Sequence, residues 1–564
     1  MISMLYKEDK IYVLSKNSIY KKNEKTGGKF MKMMKQAAAW TMAVAMGVSS
    51  LSGCGKQGEE VSIKAEESIT TYHYTGEAPI TDQEGVSVSM LAQNSWYSTV
   101  DFASAPIIQE VAKRAGVNID WTLISPTNYK DSVMPMLASG TDLPDIVELP
   151  DLDPNMNYLK SGLFVALDEY MDDMPNYKKF LDEHPDIKAS LTAEDGHIYY
   201  VPQTVVTNNY QPCMMINQKW LEKIGKEIPK TLDEFVEVLR LFKEQDMNGN
   251  GDPNDEIPMS VMGNNTPSYL LYMFGPAFGL DLASGFYADD NGKVHYAFAE
   301  GEQYKEYLEF VHSLYEEGLL EVEFTTLTRD QVTERCANDL TGVTFDFSWQ
   351  MSQLYSAQYS DYTGEEGIMV GMPPLSGEYE GFYLARQPFA NIFGVSSNSK
   401  NKQNAIRFLD YAMSEECQEL YVWGIEGESY TTSNDGTKAY TDKAQDSLWL
   451  QGLGINPGCL PSQQSVEATD VLLPEWHVAI DKELEQYMRD PWPFIYATEE
   501  ESAIVSQYLV DITTYVEEMH VAFITGTASL DAFDNYLDSL KSMNLDELLK
   551  VRQTQYDRYK AANQ

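Results

Sequence analysis

Basic residues are scarce in this chain of 564 residues: 41 Lys and Arg stand against 86 Asp and Glu, a formal net charge of −45. So acidic a surface repels phosphate backbones, which argues against nucleic acid as a partner. Cysteine is scarce too, with five in all. Cys213, Cys336, Cys417 and Cys459 form no CxxC pair and no metal-ligand spacing, so buried free thiols are expected, two disulfides being the alternative. Beyond residue 54 no stretch has the roughly 20 apolar residues that a membrane-spanning helix needs. GxSxG, HExxH and a Gly-rich phosphate loop are all missing. A carboxylate pair for glycan cleavage says nothing in a chain with 86 acids, because some pair is always available.

What is present begins at the N-terminus. Lys29, Lys32 and Lys35 precede an uncharged run from Ala37 to Val48, and Leu51-Ser52-Gly53-Cys54 follows. A dozen apolar residues are too few to span a bilayer but suit the core of a signal peptide, with its positive head and small residues at the cleavage point. Leu-Ser-Gly-Cys resembles the bacterial lipobox, which implies that Cys54 carries lipid and begins the mature chain. Two acyl chains suffice for stable membrane attachment. Residues 1–53 are therefore expected to be a leader carrying no fold. They hold nine Lys and three acids, so the remainder sits near −51.

The 511 residues from Cys54 onward are too many for one ordinary domain and enough for two large lobes. Residues 54–84 are polar, without periodicity, and read as a flexible tether. Strand patterns at 86–91, 117–123 and 144–149 alternate with helical patterns at 105–115 and 130–140, the signature of an α/β unit with a largely parallel sheet. Helices are expected at 218–224 and 232–243, the second opened by a capping box of Thr231 and Glu234. Further strands fit 342–347, 367–372 and 390–395. An amphipathic helix at 402–413 turns Ala405, Phe408, Leu409 and Ala412 to one face, and 498–559 is strongly helical.

The sharpest chemical pattern is the loop from Asp246 to Pro258. Asp246, Asn248 and Asn250 place oxygens at positions 1, 3 and 5, and Gly251 at position 6 permits the sharp turn, as in the first half of an EF-hand. No Glu stands at position 12; Asp255 and Glu256 occupy 10 and 11. Structural calcium is the expected occupant, with magnesium a poorer match to a many-oxygen loop. A polar turn needing no metal is the alternative.

Several segments then occur together in order: 214–225 (MMINQKWLEKIG), 228–235 (IPKTLDEF), the Asp246–Pro258 loop, 137–146 (LASGTDLPDI), 196–202 (GHIYYVP) and 423–430 (WGIEGESY). From about residue 85 to the C-terminus the chain resembles the extracellular solute-binding proteins, family 1, of carbohydrate ABC importers, and within them the large Gram-positive lipoproteins. The resemblance implies an α/β, two-lobe periplasmic-binding-protein-like fold of the class II type, hinge-linked over a ligand cleft. Lobe 1 would comprise 85–205 plus 382–435, and lobe 2 would comprise 206–381 plus 436–564. The hinge is expected near 203–208, 380–390 and 430. Calcium would be held by Asp246, Asn248, Asn250, Asp255 and Glu256, with Asp252 giving its carbonyl. A monomer is implied, tethered by lipid alone to the extracellular face of the membrane, capturing an oligosaccharide for a permease. A peptide ligand, a sugar-sensing receptor subunit and a secreted glycan-degrading enzyme are the alternatives.

Sugar capture needs flat apolar faces and planar polar side chains. Candidates in expected loops are Asn94, Trp96 and Tyr97; Tyr200 and Gln203; Trp349 and Ser352; Arg386; Trp423 and Glu428; and Trp492 and Tyr496. For each, core or hinge packing is the competing reading. Trp220 is expected in the core, and His197 in a structural role.

Overall fold

Alternating strand and helix patterns place the sheets first. The computed structural model describes residues 72–95, 100–149, 162–204, 212–263, 269–356, 368–463 and 470–562. All lie in one unit, Ile69–Gln564. Nine strands among the described residues build two main sheets: β1 (Ser87–Gln93), β2 (Asn118–Ile124), β3 (Ile146–Glu148), β4 (Tyr200–Thr204), β5 (Pro212–Asn217), β6 (Ile257–Met259), β7 (Thr341–Phe347), β8 (Met369–Gly371) and β9 (Phe389–Val395).

The first sheet has the order β2-β1-β3-β9-β4. β1 is parallel to both β2 and β3, while β9 runs antiparallel to β3 and β4. The expected parallel character thus holds for the local β-α-β-α-β run, whereas the late strand β9 arrives from the second lobe and inserts the opposite way. The second sheet has the order β8-β5-β7-β6, with β5 antiparallel to β8 and β7, and β6 parallel to β7.

Each sheet has its own apolar core. Met90, Leu91, Val147, Phe393 and Phe408 belong to the first; Ile216, Trp220, Phe242, Phe345 and Phe523 belong to the second. Trp220 is fully buried, edge-on to Phe242 at 5.2 Å, with its indole N–H on Asp339. The helix Leu232–Glu244 opens with the expected capping box. The C-terminal helices Glu499–Ile524 and Phe533–Ser542 close the second core.

Three boundaries move. Residues 72–84 were expected in the tether, yet Tyr74 and Ile80 are buried in the first core. Tyr74 donates to Asp410 at 2.8 Å, and Asp410 also accepts from Asn176 and the Tyr177 N–H. For the same reason the helix Lys402–Ala412 is buried on its polar side as well: Arg407 pairs with Asp173 and lies over Tyr72 and Tyr74. Residues 436–460, expected in lobe 2, give Ala444, Leu450, Leu453, Cys459 and Leu460 to the first core. The expected hinge near 430 is instead a hairpin, Tyr430–Thr432 with Lys438–Tyr440; the chain stays on the first core to about residue 460 and touches it again at Phe494 and Tyr496.

The segment 383–389 crosses between the cores, with Tyr383 in the second and Phe389 in the first. Tyr383–Leu384 pairs in parallel with Met488–Arg489, the Ala385 N–H bonds the Arg489 carbonyl, and Gln387 bonds the Trp492 carbonyl at 2.7 Å. Two crossings therefore run side by side. The four cysteines Cys213, Cys336, Cys417 and Cys459 are free and buried. Among the described residues no helix is long and apolar enough to cross a membrane.

Candidate functional site

Strand polarity locates the cleft. β4 ends at Thr204 and β5 begins at Pro212, so the carboxyl end of β4 and the amino end of β5 face the crossing region. Thr204 pairs with Phe389, and Pro212 with Phe347. In the first lobe the carboxyl ends of β1 and β3 point the same way, since both oppose β9; in the second, the carboxyl ends of β7, β6 and β8 do so. Open α/β sheets bind ligands beyond the carboxyl ends of their strands.

A buried carboxyl group sits under each rim. In the first lobe Glu148 is fully buried at the end of β3, and its two oxygens accept the Gln93 N–H and Gln93 Nε2, each at 2.7 Å. Burial pushes the Glu148 carboxyl up to about 8 against those two donors. This fixes the end of β1, where Asn94 takes the Phe102 N–H on Oδ1 at 3.0 Å. In the second lobe Asp346, also fully buried, grips Arg329 with both oxygens at 2.8 and 2.9 Å. Tyr269 and Tyr355 donate to the same carboxylate at 3.1 and 2.7 Å. Neither Glu148 nor Arg329–Asp346 was singled out from the sequence. An acid inside an apolar strand (DIVEL, TFDF) is the signal that could have found both.

Of the sequence-derived ligand candidates, Asn94, Trp349 and Arg386 stand at the rim. Trp349 is half-buried two residues past β7, and exposed Arg386 lies over the Phe347 ring at 5.4 Å. Trp96 and Tyr97 fall outside the described residues, as does Cys54.

Tyr200, Gln203 and Ser352, expected at the ligand, are buried and engaged in the scaffold. Tyr200 packs edge-on to Phe164 inside the first core. Gln203 bonds the Pro457 carbonyl, Ser462 and Asn391, stitching residues 457–463 to the edge of the first sheet. Ser352 bonds His477 Nδ1 at 2.6 Å, and His477 Nε2 lies 3.4 Å from Asp481. The cluster resembles a hydrolase triad, but all three residues are buried.

Trp423 packs 4.8 Å from Tyr440, with Lys438 over its ring, and exposed Glu428 takes Thr441 on its carbonyl. Trp492 stacks on Tyr556 at 5.5 Å. Tyr496 stands edge-on to Phe494 at 5.0 Å. His197 bonds Asp168 at 2.9 Å.

The Asp246–Pro258 loop is wound on its own side chains. Asp246 accepts the Gly249 and Gly251 N–H groups, Asn248 accepts Asn250 N–H, and Asn250 accepts Asp252 N–H. Positive φ at Gly249 and Gly251 (78° and 93°) permits these turns. Glu256 reaches back to the Met247 N–H at 2.6 Å. Asp255 Oδ1 and Glu256 Oε2 are buried with no hydrogen-bond partner among the described residues. Unpaired buried carboxylate oxygens are costly and suit a hard cation. Among the described residues no group of three or more His, Cys, Asp or Glu side chains gathers closely enough to hold a metal by itself, so the amides Asn248 and Asn250 would have to contribute.

Comparison with known proteins agrees with this architecture. Residues 98–419 match the family described as bacterial extracellular solute-binding protein. The fructooligosaccharide ABC transporter substrate-binding protein FusA of Streptococcus pneumoniae is 28% identical over 521 residues, 85% of this chain and 91% of that one. The structure of FusA in complex with kestose superposes with a TM-score of 0.71 at 25% identity, covering 84% of this chain and 99% of that one. A FusA EF-hand mutant in complex with fructo-nystose gives 0.70 at 24% identity, over 84% and 99% of the two chains. The family is one of binding proteins, not enzymes. With its two lobes and the match across 98–419, this chain belongs to the bacterial extracellular solute-binding proteins.

Proposed function

We propose that the protein is the lipid-anchored substrate-binding component of an ABC importer, capturing an oligosaccharide between its lobes at the outer face of the membrane. The observation that carries this reading is the similarity to a fructooligosaccharide-binding protein along 85% of the chain. The rim supports it. Phe347 and Trp349 offer apolar faces, while Asn94 and Arg386 offer planar polar groups for sugar hydroxyls. Lobe 1 is proposed as 72–204 with 389–463 and the segment 494–496, and lobe 2 as 212–383 with 470–492 and 498–562. They would close by bending the paired crossings, and the closed monomer would then meet a permease.

Cys54 would carry the lipid and hold the receptor beside that permease. Calcium would be held by Asp246, Asn248, Asn250, Asp252, Asp255 and Glu256. It would supply charge neutralisation for Asp255 and Glu256, fixing the end of helix Leu232–Glu244 rather than touching ligand.

Calorimetric titration of the purified chain with a panel of oligosaccharides tests the reading. Binding at one site per chain, without turnover, is expected. Hydrolysis of any panel member, or binding only to peptides, refutes it.

A further inference from the structure

Arg329 is held at the cleft end of the second lobe by its place in the fold. The helix Arg329–Ala337 runs back along the sheet and leads through a short turn into β7, so its first residue is level with the last residues of that strand. Leu327 takes the Gly263 N–H at 2.9 Å, which ties the helix start to the chain leaving the carboxyl end of β6. Capping by Thr328 and Gln331 fixes the helix end independently of Arg329.

The guanidinium is pre-set. Asp346 takes Nε and Nη2, and Tyr269 and Tyr355 brace that carboxylate from two further elements. Asp346 is completely buried, yet 38% of the Arg329 side chain is exposed. Of the five guanidinium N–H donors, two are used on Asp346; Nη1 carries no hydrogen bond among the described residues. Donor capacity therefore remains on the part-exposed guanidinium, at the end of β7 where the Phe347 N–H also bonds Asp346.

We infer that Arg329 is a ligand-contacting residue, its Nη1 edge donating to neighbouring hydroxyls of an uncharged oligosaccharide seated against Phe347. The inference deepens the proposed function and rests on it. Fixing an arginine usually costs side-chain entropy on binding; here the ion pair has met that cost before ligand arrives. The same ion pair sets the charge preference. A uronate approaching Arg329 must also approach the Asp346 carboxylate, so the site favours hydroxyls over acids.

Titration calorimetry on the full chain, with kestose, nystose and trigalacturonate as probes, tests this. Arg329→Lys keeps a positive charge for Asp346 but loses the planar edge. Its affinity for the uncharged sugar bound by the wild type is expected to fall at least tenfold, about 1.4 kcal/mol. Stoichiometry is read in the same titration, so that the affinity reports on folded protein even if the variant melts earlier. Equal affinity in Arg329→Lys overturns the role of Arg329 alone. Tighter wild-type binding of trigalacturonate than of kestose or nystose overturns the charge preference. Wild-type protein that binds no oligosaccharide overturns the parent reading.

Discussion

His520 makes the stability of this protein depend on pH in a way that can be worked out beforehand. It lies on the helix Glu499–Ile524, 6% exposed, with Nδ1 3.0 Å from the Tyr304 hydroxyl and its ring stacked on Tyr304 and Tyr307. No carboxylate pairs with it among the described residues, and Nε2 is buried without a partner. Burial alone pushes the imidazole down from 6.5 to about 4. A depressed folded value means that the unfolded chain takes the proton first. The stabilisation from a neutral His520 is therefore complete above pH 6.5 and drains away as the pH falls toward 4. At about 1.4 kcal/mol per pH unit the loss is roughly 3 kcal/mol.

Asp281 and Asp410, which burial raises to about 6, titrate in the same window with the opposite sign. The clean measurement is thus a difference. His520→Gln keeps a partner for Tyr304 but cannot titrate. Urea unfolding of both chains at pH 7, 6, 5 and 4 should show the wild type losing about 3 kcal/mol relative to the variant. A difference that stays flat, or an imidazole titrating above pH 6 by NMR, refutes the reasoning.

Three further outcomes follow from other parts of the molecule. Gly342 sits in β7 where an added Cβ would lie 2.4 Å from the Phe242 ring and 2.9 Å from the Pro258 carbonyl. Gly342→Ala should cost about 2 kcal/mol or more in chemical denaturation, and an unchanged midpoint would show that the strand yields freely. Chelation with EGTA should lower the melting temperature and added calcium restore it, while Glu256→Gln should blunt the response; a melting temperature indifferent to both would remove calcium from the loop. Cys54→Ala should release the protein from cells into the medium and from the detergent phase in partitioning, and continued membrane retention would rule out Cys54 as the anchor.

Local signals in the sequence carried well into three dimensions. The helix at 218–224, the Thr231–Glu234 capping box and the core position of Trp220 each depend on neighbours a few residues away, and each is found. What failed was decided at long range. Residues 72–84 look like a tether because they are polar, but Tyr74 is claimed by Asp410, 336 residues later. Gln203 and Ser352 have the chemistry of sugar ligands, yet their hydrogen bonds are taken by Ser462 and His477. Arg329 and Asp346 are 17 residues apart on different elements, a spacing that no periodic pattern announces.

The antiparallel strand β9 has a consequence for how the chain comes together. It lies between β3 and the edge strand β4, so β4 has no partner in the first sheet until residue 395 is available. Residues 457–463 must then arrive to cover Gln203. The second core likewise waits for Phe523 and Tyr536, near the end of the chain. A chain delivered N-terminus first thus cannot finish either half early. β1, β2 and β3 can pair early, but β4 and the rest of the first core stay open to aggregation or proteolysis until residues 389–463 have emerged.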